Sequence, residues 1–203
     1  MIIKVCGMKY ADNIRALDKL KPDMTGFIFH PSSPRFAYAV PEHMPSSSLC
    51  VGVFVNSETD YILYKVREFG LNLVQLHGNE SPEQCRDIRN KGIKIIKSFS
   101  LKTDNADTIT APYDGLCRYY LFDTPCAAYG GSGKTFDWTI TQSYHGKTPF
   151  LLSGGIKPEC LEQISSFRHT SFAGIDINSG FETAPGLKDT KAIAEFIKRL
   201  RTL

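Results

Sequence analysis

Eight short apolar runs follow one another along the chain, and each ends in polar residues or glycines. The runs are rich in Val, Ile, Leu and Phe and show little strict alternation, which is typical of strands covered on both faces. Stretches with helical spacing lie in most of the gaps. The runs occupy residues 2–6, 24–29, 49–55, 73–76, 93–99, 119–122, 150–152 and 172–177. Strand and helix alternating along 203 residues predict one α/β domain over residues 1–203.

The number of runs indicates the architecture. Eight strand–helix repeats fit a closed (β/α)8 barrel at the short end of its length range. A doubly wound open sheet is the alternative, but no Gly-x-Gly-x-x-Gly turn follows the first run. Gly70 is well placed to end one helix, and Ser81 followed by Pro82 to begin another. We expect an irregular connection over residues 101–117. We expect a broken second helix over residues 40–48.

Composition excludes several classes of protein. Hydrophobic residues make up 42% and charged residues 22%, which is typical of a globular domain rather than a disordered chain, a collagen or a coiled coil. The net charge of +3 is too small to indicate a nucleic-acid partner. Six cysteines without a C-x-x-C pair predict scattered reduced thiols. With no signal peptide and no apolar run near the roughly 20 residues that span a bilayer, we expect a cytoplasmic protein without a membrane partner.

Two glycine-rich turns follow the seventh and eighth runs, at residues 153–156 and 176–180. In a (β/α)8 barrel the loops after these strands are the recurrent phosphate site. Glycines let backbone N–H groups approach an anion closely, and a helix N-terminus adds favourable charge. One such turn could serve only as a tight turn, but two in adjacent loops favour a phosphate site. Its candidate residues are Gly154, Gly155, Asn178, Ser179 and Gly180.

Other strand ends carry reactive side chains that would face the same mouth of the barrel. Cys6, after the first strand, is either a packed thiol or a base that acts as thiolate. Asp123, after the sixth strand, either caps the next loop or serves as an acid. Arg35 could bind a carboxylate bidentately, and His77 is a further substrate-binding candidate. His30 and His77 belong to no metal-ligand motif.

A glycine-rich segment at residues 130–135 ends in Gly-Lys-Thr, as a P-loop does. A P-loop also needs a glycine at the start of its motif, and this chain lacks it. We therefore interpret the segment as a mobile loop that closes over a ligand.

These motifs together resemble the phosphoribosylanthranilate isomerase family, (β/α)8 enzymes of tryptophan biosynthesis. They span nearly the whole chain in the family's order, and departures such as Ser153, where the family often has Ala, are mild. The matching segments are residues 4–8, 31–35, 51–56, 74–78, 121–124, 130–138, 152–156, 174–182 and 185–189.

The resemblance implies an Amadori rearrangement of N-(5-phosphoribosyl)anthranilate, a small phosphorylated substrate, with no cofactor or metal. It implies that Asp123 is the general acid and Cys6 the general base, that the glycine turns bind the phosphate, and that Arg35 binds the anthranilate carboxylate. Such chemistry requires Asp123 to be protonated while Cys6 is ionised, so we expect the pKa of the Cys6 thiol to be lowered. The enzyme is expected to be a monomer or a homodimer.

Two alternative functions remain. A histidine-pathway isomerase performs the same rearrangement on a related barrel, but its pattern has Asp in place of Cys6 and two phosphate sites. A catalytically silent phosphate-binding barrel is the other alternative, and the presence of both Cys6 and Asp123 argues against it.

Overall fold

The computed structural model describes residues 1–101, 105–123 and 138–202. Eight parallel strands close into a barrel in sequence order, with β1 hydrogen-bonded to both β2 and β8. The predicted barrel is confirmed, and the open-sheet alternative is wrong. The strands are β1 (Ile2–Val5), β2 (Met24–Ile28), β3 (Leu49–Phe54), β4 (Leu73–Leu76), β5 (Lys94–Ser100), β6 (Tyr119–Asp123), β7 (Phe150–Ser153) and β8 (Phe172–Ile177).

Helices lie between most of the strands. The predicted boundaries are confirmed at two of them: Gly70 ends a helix in the left-handed conformation (φ 60°), and the Ser81 hydroxyl oxygen accepts a hydrogen bond from the Gln84 N–H at 3.3 Å. The α-helices are α1 (Ala11–Asp18), α2 (Thr59–Phe69), α3 (Pro82–Asn90), α4 (Ala106–Thr110), α5 (Leu161–Ser166) and α6 (Thr190–Thr202). Short 3-10 helices occupy Ala111–Tyr113, Trp138–Ser143, Pro158–Cys160 and Ser179–Phe181.

Two connections differ from the sequence expectation. Residues 29–48, between β2 and β3, form turns and bends without any helix, so the predicted broken helix is wrong. The prolines at 31, 34, 41 and 45 explain this, because a proline removes a backbone donor that a helix interior needs. Between β8 and α6 the chain adds an unpredicted antiparallel hairpin, β9 (Glu182–Ala184) and β10 (Leu187–Lys188).

The apolar side chains form two clusters. The larger cluster lies where the outer face of the barrel meets the helices, with residues such as Phe27, Val74 and Ile193 fully buried. The smaller cluster consists of Met24, Val51, Leu73, Ile96 and Leu121, each from a different strand. On β3, β4 and β6 the side chains two residues further along, Val53, Gln75 and Asp123, line a cavity at the carboxyl end of the barrel, since alternate residues of a strand share a face.

Residues 102–104, 124–137 and 203 are outside the described part of the chain. The interpretation of residues 130–135 as a closing loop, and the expectation of a reduced thiol at Cys126, therefore lie outside it too. The other five cysteines are free thiols, as predicted. Across the described segments, none of the helices combines the length and the apolar character that crossing a membrane requires.

Candidate active site

A cavity of about 290 Å³ opens at the carboxyl end of the barrel strands. Its wall contains all the predicted site residues except Arg35: Cys6, His77, Asp123, Gly154, Gly155, Asn178, Ser179 and Gly180. These residues come from β1, β4, β6, β7 and β8 or from the loops after them. A parallel barrel brings the ends of distant strands together in this way. Ser33, from the same loop as Arg35, also lines the cavity.

Cys6 comes directly after β1 and is held by its backbone. Its N–H donates to the carbonyl oxygen of Ile177 at 2.9 Å, which extends the β1–β8 pairing by one residue. The residue is 4% exposed. Gly26 on the neighbouring strand makes room for the thiol, because a Cβ there would lie 2.9 Å from the sulfur. Cys6 is therefore both buried and part of the cavity wall.

The expectation of a lowered thiol pKa at Cys6 is wrong for this structure. Burial raises the pKa of Cys6 above its ordinary value, since the low-dielectric surroundings disfavour the thiolate. The Lys4 and Lys188 ammonium groups act in the lowering direction, and the Asp176 carboxylate adds to the rise in pKa. The thiol form of Cys6 is thus favoured by burial and opposed by two cations.

Asp123 is the last residue of β6, and its side chain is 37% exposed. The Nε2 atom of His77 lies 3.5 Å from a carboxylate oxygen of Asp123. On the other side of the imidazole, Gln75 Nε2 lies 2.8 Å from His77 Nδ1. Because an amide nitrogen donates, Nδ1 accepts and the ring proton of the neutral imidazole lies on Nε2, facing Asp123. Sequence reasoning missed Gln75, which fixes the orientation of His77.

The two glycine turns lie side by side at the mouth. Gly154 (φ 87°) and Gly155 (φ 61°) adopt left-handed conformations that other residues avoid. Gly180 packs directly on the loop after β7, since a Cβ at residue 180 would overlap the carbonyl oxygen of Ile156. Each turn leads into a three-residue 3-10 helix and not into the α-helix N-terminus that we expected. Neither turn therefore leads directly into the N-terminus of an α-helix.

Arg35 lies beside the cavity and is paired within the protein. Its Nε and Nη2 atoms donate to the Glu182 carboxylate, with Nη2 and Oε2 2.6 Å apart. The other oxygen of Glu182 accepts from Lys188 Nζ at 2.6 Å, and Lys188 also donates to Asn178 Oδ1 at 2.7 Å. Burial raises the pKa of Glu182, but the bonds from Arg35 and Lys188 outweigh it and leave that pKa lowered. Glu182 therefore remains ionised and positions Arg35.

Sequence reasoning also assigned no role to four charged residues near the site: Lys4, Asp176, Glu182 and Lys188. Lys4 and Asp176 offered a signal, because each interrupts an otherwise apolar strand, and a charge buried in a strand needs a partner. The two residues pair in the structure, with Nζ and Oδ2 2.9 Å apart. Among the described residues there is no group of three or more His, Cys, Asp or Glu that could hold a metal ion.

The fold and the site together define a (β/α)8-barrel protein with a thiol, a carboxyl group and two glycine turns around one cavity. The family described as N-(5'phosphoribosyl)anthranilate (PRA) isomerase matches residues 3–199. The chain is 52% identical to the N-(5'-phosphoribosyl)anthranilate isomerase of Phocaeicola vulgatus over 201 residues, which cover 99% of this chain and 98% of the relative. It is 48% identical to the corresponding enzyme of Parabacteroides distasonis, covering 98% and 93% of the two chains.

Solved structures agree with these relatives. Phosphoribosyl anthranilate isomerase from Thermotoga maritima superposes with a TM-score of 0.82 at 33% identity, over the full length of both chains. A second structure, in complex with reduced 1-(o-carboxyphenylamino)-1-deoxyribulose 5-phosphate, gives 0.80 at 31% identity, also over both full lengths. The chain belongs to the N-(5'-phosphoribosyl)anthranilate isomerase family, as the sequence resemblance implied.

Proposed function

We propose that this enzyme converts N-(5-phosphoribosyl)anthranilate to 1-(2-carboxyphenylamino)-1-deoxyribulose 5-phosphate, with Asp123 as general acid and Cys6 as general base. The observation that carries this assignment is that both side chains line one cavity while originating three strands apart around the barrel. A ribose held between them would present its ring oxygen to one group and its C2′ hydrogen to the other. The two glycine turns form a further part of the same wall.

The reaction needs one proton donor and one proton acceptor. Asp123 protonates the furanose ring oxygen, the C1′–O bond breaks, and the nitrogen lone pair forms a protonated Schiff base. The Cys6 thiolate then removes the C2′ proton to give an enolamine. Protonation of C1′ and loss of the proton from the C2′ hydroxyl yield the ketone, so the overall change is an isomerisation. Each well-placed proton transfer is worth about 10²–10⁴-fold in rate.

The other predicted residues bind the substrate or hold the residues that do. The N–H groups of the turns at Gly154–Gly155 and Ser179–Gly180 bind the phosphate. Arg35 binds the anthranilate carboxylate through Nη1, since its hydrogen bonds to described residues use only Nε and Nη2. His77 holds the carboxyl group of Asp123 in place. Asn178, tied to Lys188, sets the start of the loop after β8.

The chain acts as one catalytic domain over residues 1–203, on a small phosphorylated substrate and without a cofactor or metal. The Thermotoga maritima relative is dimeric, and for this chain monomer or homodimer stays a prediction. So do the cytoplasmic location and the expected absence of a nucleic-acid partner.

Family membership favours this function over the alternatives. A histidine-pathway isomerase was expected to carry Asp in place of Cys6, and the matched family is the anthranilate one. A silent phosphate-binding barrel would not need an acid and a base in one cavity. Both alternatives make a different prediction in a turnover assay, because neither consumes phosphoribosylanthranilate.

Loss of phosphoribosylanthranilate fluorescence in freshly generated substrate tests the proposal. We expect turnover by the wild-type enzyme, and a fall in kcat of about 10²–10⁴-fold for each of Cys6→Ser and Asp123→Asn. Circular dichroism should show both variants folded. Cys117→Ser, at a half-buried thiol just before β6 at the amino end of the barrel, is the matched control and should keep the wild-type rate. Near-normal turnover by Cys6→Ser or Asp123→Asn would remove that residue from its role.

A further inference from the structure

An ion pair inside the barrel takes no part in the proton transfers of Cys6 and Asp123. Lys4 on β1 is fully buried, and its register partner on β8 is Asp176, which is 6% exposed. A buried pair of this kind is weak support for stability, because desolvation of two charges offsets most of their attraction. The smaller apolar cluster, with residues such as Val51 and Leu73, also lies inside the barrel. The pair therefore calls for a functional explanation.

The position of the pair relative to Cys6 supplies one. Residues 4 and 6 are two apart in an extended segment, so their side chains share the inner face of the barrel in successive layers. The positive charge of Lys4 acts to lower the pKa of the Cys6 thiol. Asp176 lines the cavity beside Cys6, and its Oδ1 atom has no hydrogen-bond partner among the described residues. Lys4 thus lies one layer below Cys6 on the same face of the barrel, and its partner Asp176 lines the same cavity as Cys6.

The remaining charges around Cys6 come from two loops. Lys188 and Arg35 both interact electrostatically with its sulfur, and Glu182 neutralises part of their charge. The β2 side contributes Gly26, which has no charge. Among the described residues, Lys4, Lys188 and Arg35 are the cations that act on Cys6, and each is paired with a carboxylate, Lys4 with Asp176 and the other two with Glu182.

The pKa values of Lys4 and Asp176 reflect both their burial and their pairing. Burial lowers the pKa of Lys4, but the negative charges of Asp176 and Cys6 outweigh burial and leave that pKa raised. Lys4 therefore stays a cation in the dry interior. Burial raises the pKa of Asp176, and the opposing charge of Lys4 does not cancel this, so that pKa stays above its ordinary value.

We propose that Lys4 and Asp176 are positioning residues that set the ionisation of Cys6 in opposite directions, Lys4 favouring the thiolate and Asp176 restraining it. The importance of this effect for catalysis rests on the proposed role of Cys6 as the base. The effect of the charge pair on the ionisation of the Cys6 thiol does not depend on that role.

The pH dependence of Cys6 alkylation measures the effect of Lys4 and Asp176 on the ionisation of the thiol directly. Iodoacetamide labelling over a pH series, read by mass spectrometry on the peptide that contains Cys6, gives the pKa of that thiol alone. Lys4→Gln removes a cation and should move the midpoint up by about one pH unit, and Asp176→Asn removes an anion and should move it down by about as much. The double variant should fall between the two.

Lys65→Gln is the matched control, because Lys65 is also buried and paired with a carboxylate, Glu68, but lies on α2. Its Cys6 midpoint should equal that of the wild type. Unchanged midpoints in both pair variants, or shifts in the same direction, would overturn the inference. Should Lys4→Gln fail to fold, Asp176→Asn decides alone: a downward shift supports the inference, and no shift or an upward one contradicts it.

Kinetics separate this inference from the proposed function. If Cys6 is the base, the acid limb of the kcat/KM profile should move with the alkylation midpoint in each variant. Full activity in Cys6→Ser would refute the role of the base and leave the thiol shifts standing. If the alkylation midpoint does not shift in the Lys4 and Asp176 variants while Cys6→Ser is inactive, only the role of the pair is refuted.

Discussion

The two ends of the barrel differ in how far their buried polar groups are hydrogen-bonded. At the amino end of the strands, the Asp18 carboxylate accepts hydrogen bonds from the backbone N–H and hydroxyl groups of both Ser46 and Ser47, at 2.6–3.2 Å. At the mouth, the buried oxygens Asp176 Oδ1 and Gln75 Oε1 have no hydrogen-bond partner among the described residues. At the amino end the Asp18 carboxylate is saturated, while Nε2 of the neighbouring His43 is buried without a hydrogen-bond partner in the described chain. At the mouth the two unpartnered oxygens belong to residues that line a cavity.

This difference indicates that polar groups at the amino end serve stability and those at the mouth serve function. A saturated carboxylate stabilises the fold, whereas an unsatisfied buried oxygen costs about 1–3 kcal/mol and persists where a ligand meets it. Substitutions at the mouth should therefore change kinetics more than stability, and substitutions at the amino end should do the reverse. Three predictions test that separation, beginning with the largest effect.

Gly180→Ala should raise KM by about 100-fold, since an added Cβ must displace the backbone of Ile156 and with it the turn that we propose as the phosphate site. Steady-state kinetics with phosphoribosylanthranilate measure it. Gly92→Ala is the control: Gly92 also has a demanding backbone (φ 81°) but faces open space. It should cost about 1 kcal/mol of stability and leave KM unchanged. A wild-type KM in Gly180→Ala would mean that this turn does not hold the phosphate.

Arg35→Ala should raise KM about tenfold and leave kcat within a few-fold, because it removes a binding contact and no proton transfer. Glu182→Gln should produce a smaller rise, since Arg35 would keep its charge but lose its ionised partner. If Arg35→Ala leaves KM unchanged, the carboxylate of the substrate is bound elsewhere.

Asp18→Asn should give the smallest effect, a loss of about 1 kcal/mol in the free energy of unfolding at neutral pH, with unchanged kinetics. Burial alone would raise the pKa of Asp18, but the bonds from Ser47 and Ser46 lower it to about 2. A lowered folded-state pKa stabilises the protein above the unfolded value near 3.8 and loses that effect as pH falls towards 2. Urea unfolding at pH 7 and near pH 2 should therefore show a difference that disappears in acid. A change in kcat would break the separation between the two ends.

The sequence predicts those parts of the molecule that local patterns control. Apolar runs place the eight strands, and strand ends bring Cys6, Asp123 and the glycine turns to one mouth because every parallel strand points the same way. The pairing of Arg35 with Glu182, and of Lys4 with Asp176, joins residues far apart in sequence. Such pairs depend on strand register and on the unpredicted β9–β10 hairpin, which local patterning does not specify.

The direction of the Cys6 pKa also lay beyond the sequence. The chemistry implied by the family resemblance led us to expect a lowered pKa, but burial, which sequence does not quantify, outweighs the Lys4 and Lys188 cations in this structure. The thiolate that the chemistry needs must therefore be favoured against a desolvation cost, by the charges that the fold gathers around it.

A crystal structure of this enzyme with reduced 1-(o-carboxyphenylamino)-1-deoxyribulose 5-phosphate tests the central claim most directly. We expect the Cys6 sulfur about 3.5 Å from C2′ of the sugar and the Asp123 carboxyl group within hydrogen-bonding distance of the oxygen released from C1′. The phosphate should lie against the turns at Gly154–Gly155 and Ser179–Gly180. A sugar bound out of reach of either Cys6 or Asp123 would contradict the account.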